Sequence, residues 1–337
     1  MKKNIMNKDP ADSMSGLYPL IKLLSDGQFY SGEHLGEQLQ ISRAAVWKKI
    51  RKLEDFGIVC HSVRGKGYRL EESLQLLDAA QLAQIVDVEL QNHNLEIDLH
   101  AQVDSTNDLA LDAARGTRPS GYVCLAEQQL SGRGRLGRRW VSPFARNIYL
   151  SMLWRFPAGA ASLEGLSLAV GVAVARALEK SSLQGLSLKW PNDVLLHGEK
   201  LAGILLEMHG DSAGQCSVVI GVGVNVDMPQ AVASGIDQPW TDLKRHLPHV
   251  DRNEIAGNLL AEIYRSVQMF SESGFLSHKS AWETYDAFLG ESVSIMLGEK
   301  ELTGRAAGIS ARGEFRLDVE GELHCFSGGE VSVRRKP

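Results

Sequence analysis

Four arginines, Arg133, Arg135, Arg138 and Arg139, are set among Gly132, Gly134 and Gly137 in the stretch from Glu127 to Trp140. Arginine carries a permanent charge and a planar fork of donors that fits phosphate or carboxylate. Glycine lets the backbone approach a ligand closely. A loop of this composition is built to hold anions, although taken alone it also reads as a solvated basic loop or a nucleic-acid patch. Gly132-x-Gly134-x-x-Gly137 matches a dinucleotide fingerprint, which has meaning only between a strand and a helix. Here the loop runs into Trp140-Val-Ser-Pro143 and a second strand-like run, Ile148 to Trp154. No helix N-terminus is expected there to receive a pyrophosphate.

Four further clusters could do chemistry beside it. Asp104-Ser105-Thr106-Asn107 offers two hydroxyls and an amide at the start of a predicted helix, 108–115; alone it is most simply a cap. Lys189-Trp190-Pro191-Asn192-Asp193 sets a cation and a carboxylate just after a strand, where such a pair is usually structural. Lys200-Leu-Ala-Gly-Ile204 opens the return arm of a hairpin, and unassisted it reads as a surface lysine. Gly221-Val-Gly-Val-Asn225 ends a strand with glycines that admit close approach.

The elements that must position these residues fall into three blocks. Residues 1–15 are polar and expected to be disordered. Apolar residues at helical spacing (Leu17, Leu20, Ile21, Leu24), a helix capped by Ser31 and a third capped by Ser42 follow. The third helix turns Val46, Ile50 and Leu53 inward, with Arg43, Trp47, Lys48, Arg51 and Lys52 on or near its outer side. A hairpin tipped by Arg64-Gly65-Lys66-Gly67 completes a winged helix-turn-helix over 16–70. Ser42, Arg43, Trp47, Lys48, Arg51, Arg64 and Lys66 are its candidate DNA contacts. Residues 71–80 read as a linker. From 81 to 288 helices and hairpins alternate, including a helix at 162–180 capped by Ser162 and another at 251–273. This pattern predicts an α+β sheet with helices on one side. Short strands broken by Gly298, Gly313, Gly321 and Gly328-Gly329 predict a small all-β barrel over 289–337.

Charge divides the same way. Residues 1–70 hold 12 Lys+Arg against 7 Asp+Glu, a net of +5; the rest holds 24 against 34, a net of −10. A basic block on an acidic body points to nucleic acid at one end. The N-terminus lacks the apolar core of a signal peptide. The longest apolar stretch, Leu166 to Leu178, is too short for a membrane span and carries Arg176. Cys60, Cys124, Cys216 and Cys325 show neither metal-ligand spacing nor a disulfide framework, so reduced thiols in a cytoplasmic protein are expected.

Together and in this order, Ser-Thr-Asn, Gly-Arg-Gly-Arg, Lys-Trp-Pro-Asn-Asp, Lys-Leu-Ala-Gly-Ile and Gly-x-Gly-x-Asn resemble the biotin–protein ligases. The N-terminal helix-turn-helix makes the chain resemble the bifunctional branch, which combines biotin–[acetyl-CoA-carboxylase] ligase activity with repression of the biotin operon. The resemblance runs from about Leu17 to Arg334. It implies a multidomain α+β protein: a winged helix-turn-helix, a central mixed α/β domain like the class II synthetase-like biotin ligases, and a C-terminal SH3-like barrel. It implies adenylation of biotin by ATP and Mg²⁺, the metal carried by ATP, then transfer to a lysine of the biotin carboxyl carrier protein of acetyl-CoA carboxylase. Ser105, Thr106, Asn107 and Gln129 match the residues that hold the ureido ring. Arg133, Gly134, Arg135 and Lys200 match those around the carboxylate and phosphate. Asn225 and Trp240 fall where adenine is held. Biotinyl-5′-AMP would favour a homodimer that binds the operator of biotin biosynthesis genes. For the reaction the resemblance implies, the joining of a carboxylate to a phosphate, Arg133, Arg135, Lys189 and Lys200 are suited to supply the cations. A biotin sensor without catalysis, or a ligase for lipoate or an acyl chain, are the alternatives.

Overall fold

The computed structural model describes residues 14–157, 159, 163–210, 215–297, 300–328 and 331–335. The N-terminal domain holds α1 (Met14–Leu24), α2 (Gly32–Leu39), α3 (Arg43–Leu53) and an antiparallel hairpin of β1 (Cys60–Val63) and β2 (Gly67–Leu70). Ser31 Oγ accepts from the His34 amide at 3.0 Å and Ser42 Oγ from Ala45 at 3.2 Å, so both expected caps are made. Leu17, Leu20, Ile21, Leu24, Leu35, Val46, Ile50 and Leu53 form one buried cluster. The expected disordered tail falls largely outside the described residues, but its last two residues are corrected: α1 begins at Met14, whose side chain is buried in this cluster.

The expected linker is also corrected. Asp78 Oδ1 accepts from the Ala80 and Gln81 amides at 2.9 and 3.1 Å, capping a helix, α4 (Ala79–Glu89), that begins inside the stretch read as linker. Leu77 is buried in the central core, and its amide donates to Glu127 Oε1 at 2.6 Å. Arg146 reaches Glu72 at 2.5 Å with one nitrogen and Asp227 at 2.7 Å with the other. The connection between domains is therefore held at both ends.

The central domain is a seven-stranded sheet of β3 (Glu96–His100), β4 (Tyr122–Ala126), β5 (Ile148–Phe156), β6 (Leu186–Lys189), β7 (Asp193–Leu196), β8 (Glu199–Gly210) and β9 (Cys216–Val224). Its order is β3-β4-β5-β9-β8-β7-β6, with β3 and β4 parallel and the other pairs antiparallel. Helices α6 (Leu166–Glu179), α8 (Arg252–Ser273) and α9 (Leu276–Thr284) join α4 over the main core, and a short α7 (Gln230–Ala233) follows β9. Helix α6 is apolar almost all round, which suits its central place.

The expectation of helices on one side is corrected by α5 (Thr106–Arg115), whose Ala110 and Ala114 pack on the opposite face against Tyr122, Cys124, Leu153 and Val219. Strand β4 is buried along its whole length, so both of its faces need cover. The expected cap Ser162 lies outside the described residues. Helix α6 starts later than expected, at Leu166 after Gly165, without a side-chain cap.

The C-terminal domain is an antiparallel sheet of β10 (Ser292–Leu297), β11 (Lys300–Ile309), β12 (Phe315–Val319), β13 (Glu322–Phe326) and β14 (Val331–Arg335), ordered β13-β12-β11-β10-β14. Trp190 ties it to the central domain: its Nε1 donates to Gly313 O at 3.0 Å and its ring centroid lies 5.5 Å from that of Phe315. Among the described residues, no helix is long and apolar enough to cross a membrane.

Candidate active site

On the α5 face of the sheet lies a cavity of about 500 Å³. Its floor follows from glycines. A Cβ on Gly221 would come within 2.2 Å of the Asn107 amide oxygen, and one on Gly223 within 2.5 Å of the Trp140 indole. Gly203 pairs with Gly223 across β8 and β9 and also lies under the indole, where a Cβ would be 3.1 Å away. The smooth strip lets the start of α5 and the end of the anion loop lie directly on the strands.

One end of the cavity is polar and largely uncharged. Gln129 Oε1 accepts from the Thr106 amide at 2.9 Å and from its hydroxyl at 3.1 Å. Ser151 Oγ, buried, lies 2.7 Å from Thr106 Oγ1 and 2.6 Å from Asn107 Oδ1. Asn107 Nδ2 donates to Glu207 Oε2 at 2.6 Å. Ser105 caps α5 through the Asp108 amide at 3.4 Å. Ser105, Thr106 and Asn107 are thus a cap, as the simple reading holds, and also a buried shelf lining the cavity.

The other end is cationic. Lys200 Nζ lies 2.7 Å from Asp193 Oδ1 and 5.6 Å from the Trp140 ring. Burial, more than any other cause, lowers the pKa of Lys189; Lys200, Arg334 and Arg138 act in the same direction and Asp193 opposes them. Arg135 donates to Asn192 Oδ1 at 3.1 Å and to Gly328 O at 2.6 Å, and burial depresses its pKa as well. Arg133 and Gly134 line the same cavity. Hydrogen bonding to Asp108 is the largest cause raising the pKa of Arg133.

The structure therefore brings Ser105, Thr106, Asn107, Gln129, Arg133, Gly134, Arg135, Lys189 and Lys200 together. It leaves Asn225 and Trp240 beside this cavity rather than in its wall. Asn225 is buried and its Nδ2 donates to Thr241 O at 3.1 Å, while its Oδ1 accepts from no described residue. Trp240 carries the Arg245 guanidinium 4.1 Å from its ring centroid. The segment Val232–Gln238, just before it, does reach the cavity. Ser151, Asp108, Asn192, Asp193 and Glu207 were absent from the expected set. Glu207 was open to inference, since it shares the sheet face of Gly203 by strand alternation.

In the N-terminal domain, Ser42, Arg43, Trp47, Lys48 and Arg51 are exposed along α3, and Arg51 lies 5.5 Å from the Trp47 ring. Arg64 and Lys66 are exposed at the hairpin tip, with Lys66 5.8 Å from the Phe29 ring. All seven expected DNA contacts lie on helix α3, at its cap or at the wing tip.

A cavity pairing a neutral polar shelf with a cationic end, beneath a glycine–arginine loop and beside a winged helix-turn-helix, defines a ligase domain joined to a DNA-binding domain. Comparison with known proteins agrees. Residues 99–225 match the Biotin/lipoate A/B protein ligase family, residues 18–69 an HTH domain and residues 288–334 the Biotin protein ligase C terminal domain. The chain is 40% identical to the bifunctional ligase/repressor BirA of Escherichia coli, over 94% of this chain and 96% of that protein. It is 30% identical to the protein of the same name from Bacillus subtilis, over 91% and 96%. The biotin protein ligase from Aquifex aeolicus in complex with biotin and ATP superposes with a TM-score of 0.61 at 30% identity, covering 72% of this chain and 99% of that one. The chain belongs to the bifunctional ligase/repressor family of biotin–protein ligases.

Proposed function

We propose that this protein joins biotin to ATP to form biotinyl-5′-AMP and pyrophosphate, and then transfers biotin to a lysine of a biotin carboxyl carrier protein. The observation that carries the reading is the neutral shelf of Thr106, Asn107 and Gln129 facing Arg135, Lys189 and Lys200 across one cavity. Biotin has the same asymmetry, a ureido ring at one end and a carboxylate at the other. The ureido edge exchanges hydrogen bonds with the hydroxyl and amides of the shelf.

In the first step a carboxylate oxygen attacks the α-phosphorus. The new P–O bond forms a mixed anhydride as the bond to pyrophosphate breaks. Two anions must approach each other, so cations fixed beforehand lower the barrier. Arg135 and Lys200 are fixed by the contacts described above, and Lys189 by its burial. Magnesium would arrive with the nucleotide, and Asp193, a carboxylate lining the cavity beside Lys200, is the side chain suited to meet it. The metal would neutralise charge on phosphate oxygens. In the second step the acceptor lysine's amine attacks the acyl carbon, an amide forms, AMP leaves and the amine proton passes to water. We assign adenine to the region of Asn225 and Trp240, because the buried Oδ1 of Asn225 has acceptor capacity to spare.

The winged helix-turn-helix binds operator DNA as a repressor. We propose that biotinyl-5′-AMP is its co-repressor, that the bound form dimerises on an operator of two half-sites in biotin biosynthesis genes, and that it works in the cytoplasm. A two-fold dimer matches a two-fold operator.

ATP–pyrophosphate exchange with biotin, lipoate and octanoate in turn tests the reading. Exchange with biotin alone is expected. Exchange with none of them, in a protein that still binds biotin, would leave a ligand-sensing DNA-binding protein.

A further inference from the structure

Arg133 and Arg135 of the loop meet partners of different charge. Arg133 Nη1 donates to Asp108 Oδ2 at 2.8 Å and Nη2 to Asp108 Oδ1 at 2.5 Å, a two-point grip. Its Nη2 also lies 3.4 Å from Glu207 Oε1 and 3.5 Å from Oε2. One guanidinium is thus faced by two carboxylates. Arg135, by contrast, donates to a neutral amide and a backbone carbonyl.

Asp108 is anchored where Arg133 is not. It stands on the first turn of α5, directly after Asn107, and α5 is seated on the sheet through buried Ala110 and Ala114. Within the loop, Trp140 N donates to Gly132 O at 2.8 Å and Gly134 N to Arg138 O at 2.7 Å, while Arg135 ties one arm to Asn192 and Gly328. Asp108 and Glu207 tie its outer arm to the scaffold.

We propose that Asp108 is a positioning residue that holds Arg133 as a clasp. On this view, Arg133 retains the acyl-adenylate by keeping the loop shut over it, not by neutralising its phosphate. The inference rests on the proposed ligase reaction in this cavity. Partly exposed pairs of this kind contribute up to about 1 kcal/mol, which is about fivefold in an opening equilibrium.

The test uses the full-length protein loaded with biotin, ATP and Mg²⁺, then chased with excess unlabelled biotin and ATP to follow escape of labelled biotinyl-adenylate. Asp108→Asn is expected to release it about threefold to fivefold faster, with ATP–pyrophosphate exchange within about twofold of the parent. Asp108→Glu should recover most of the retention. The swap of Asp108→Arg with Arg133→Asp should hold the intermediate better than Arg133→Asp alone. Unchanged escape in Asp108→Asn, or a swap as leaky as the single Arg133 variant, overturns the clasp. If the parent protein shows no exchange at all, the ligase reading has failed, and the clasp is then judged without ligand. Trypsin should cut after Arg138 and Arg139 several-fold faster in Asp108→Asn than in the parent, and equal rates would overturn it.

Discussion

Glu127 and Arg252 form a buried ion pair, Oε2 to Nη2 at 2.8 Å, at the seam between the two larger domains. Glu127 begins the run that becomes the anion loop, and its other oxygen takes the Leu77 amide. Arg252 also donates to Asn147 O at 2.8 Å and to the backbone carbonyl of Gln75. One pair thus fixes the interdomain connection, the loop entrance and the start of α8. Replacing Arg252 with Met leaves a carboxylate in the interior with no countercharge, at a cost of about 3–5 kcal/mol. Urea unfolding of the central domain should show it, and a loss below about 1 kcal/mol would mean the pair is not the fastener.

Gly221→Ala is expected to weaken biotin binding while leaving the fold intact. The added methyl must displace the Asn107 amide, which Ser151 and Glu207 hold from two sides. Overpacking of this kind costs about 1–3 kcal/mol, or roughly fivefold to a hundred-and-fiftyfold in affinity. Calorimetric titration with biotin reads it, and unaltered affinity would place the ureido ring elsewhere.

Lys189 links binding to pH. Burial and neighbouring cations hold its pKa below the ordinary 10.5 in the free protein, and a bound anion reverses that balance. The bound-state pKa is then the higher one. Affinity for a biotinyl-adenylate analogue should be full at low pH and decline as pH rises through the free-state value. Titration calorimetry in buffers of different ionisation heat should record net proton uptake in alkaline buffer, absent in Lys189→Met. Equal uptake in both proteins would remove Lys189 from the anion site.

Deleting residues 1–70 should abolish operator binding but leave ATP–pyrophosphate exchange. The cavity draws no residue from that block, and Leu77 and Asp78 keep their partners in the shortened chain. Phe144 and Ala145, which pack in the N-terminal cluster, become exposed, so a lower melting temperature is also expected. Gel shift and exchange assays on the same preparation separate the outcomes, and loss of exchange in a folded fragment would contradict independent sites.

Local patterns carried much of this structure. Ser31 and Ser42 are caps whose partners lie three residues on, and Gly313, Gly321 and Gly328 lie in the connections between strands of the last domain. The anion loop was legible because its chemistry is concentrated in one stretch. Helix α4 is not in the sequence reading although Asp78 precedes Leu82 and Val86 at helical spacing; its first two residues fall in the stretch read as a linker. Residues such as Ser151 and Glu207 were not legible individually. Each acquires its role from a partner 44 to 100 positions away, brought near only by sheet register. The placement of α5 on the second face follows from strand burial on both sides, which apolar content alone does not distinguish from one-sided packing.

The hydrogen bond from Arg135 to Gly328 O joins residues 193 positions apart. During synthesis the glycine–arginine loop would therefore lack this fastening until Gly328 has left the ribosome. A chain clipped short of Gly328 keeps the shelf of α5 and the floor of β9, yet loses one of the two described grips on Arg135. Partial products would then be poor custodians of an activated acyl group, a safeguard against indiscriminate acylation that arises from topology.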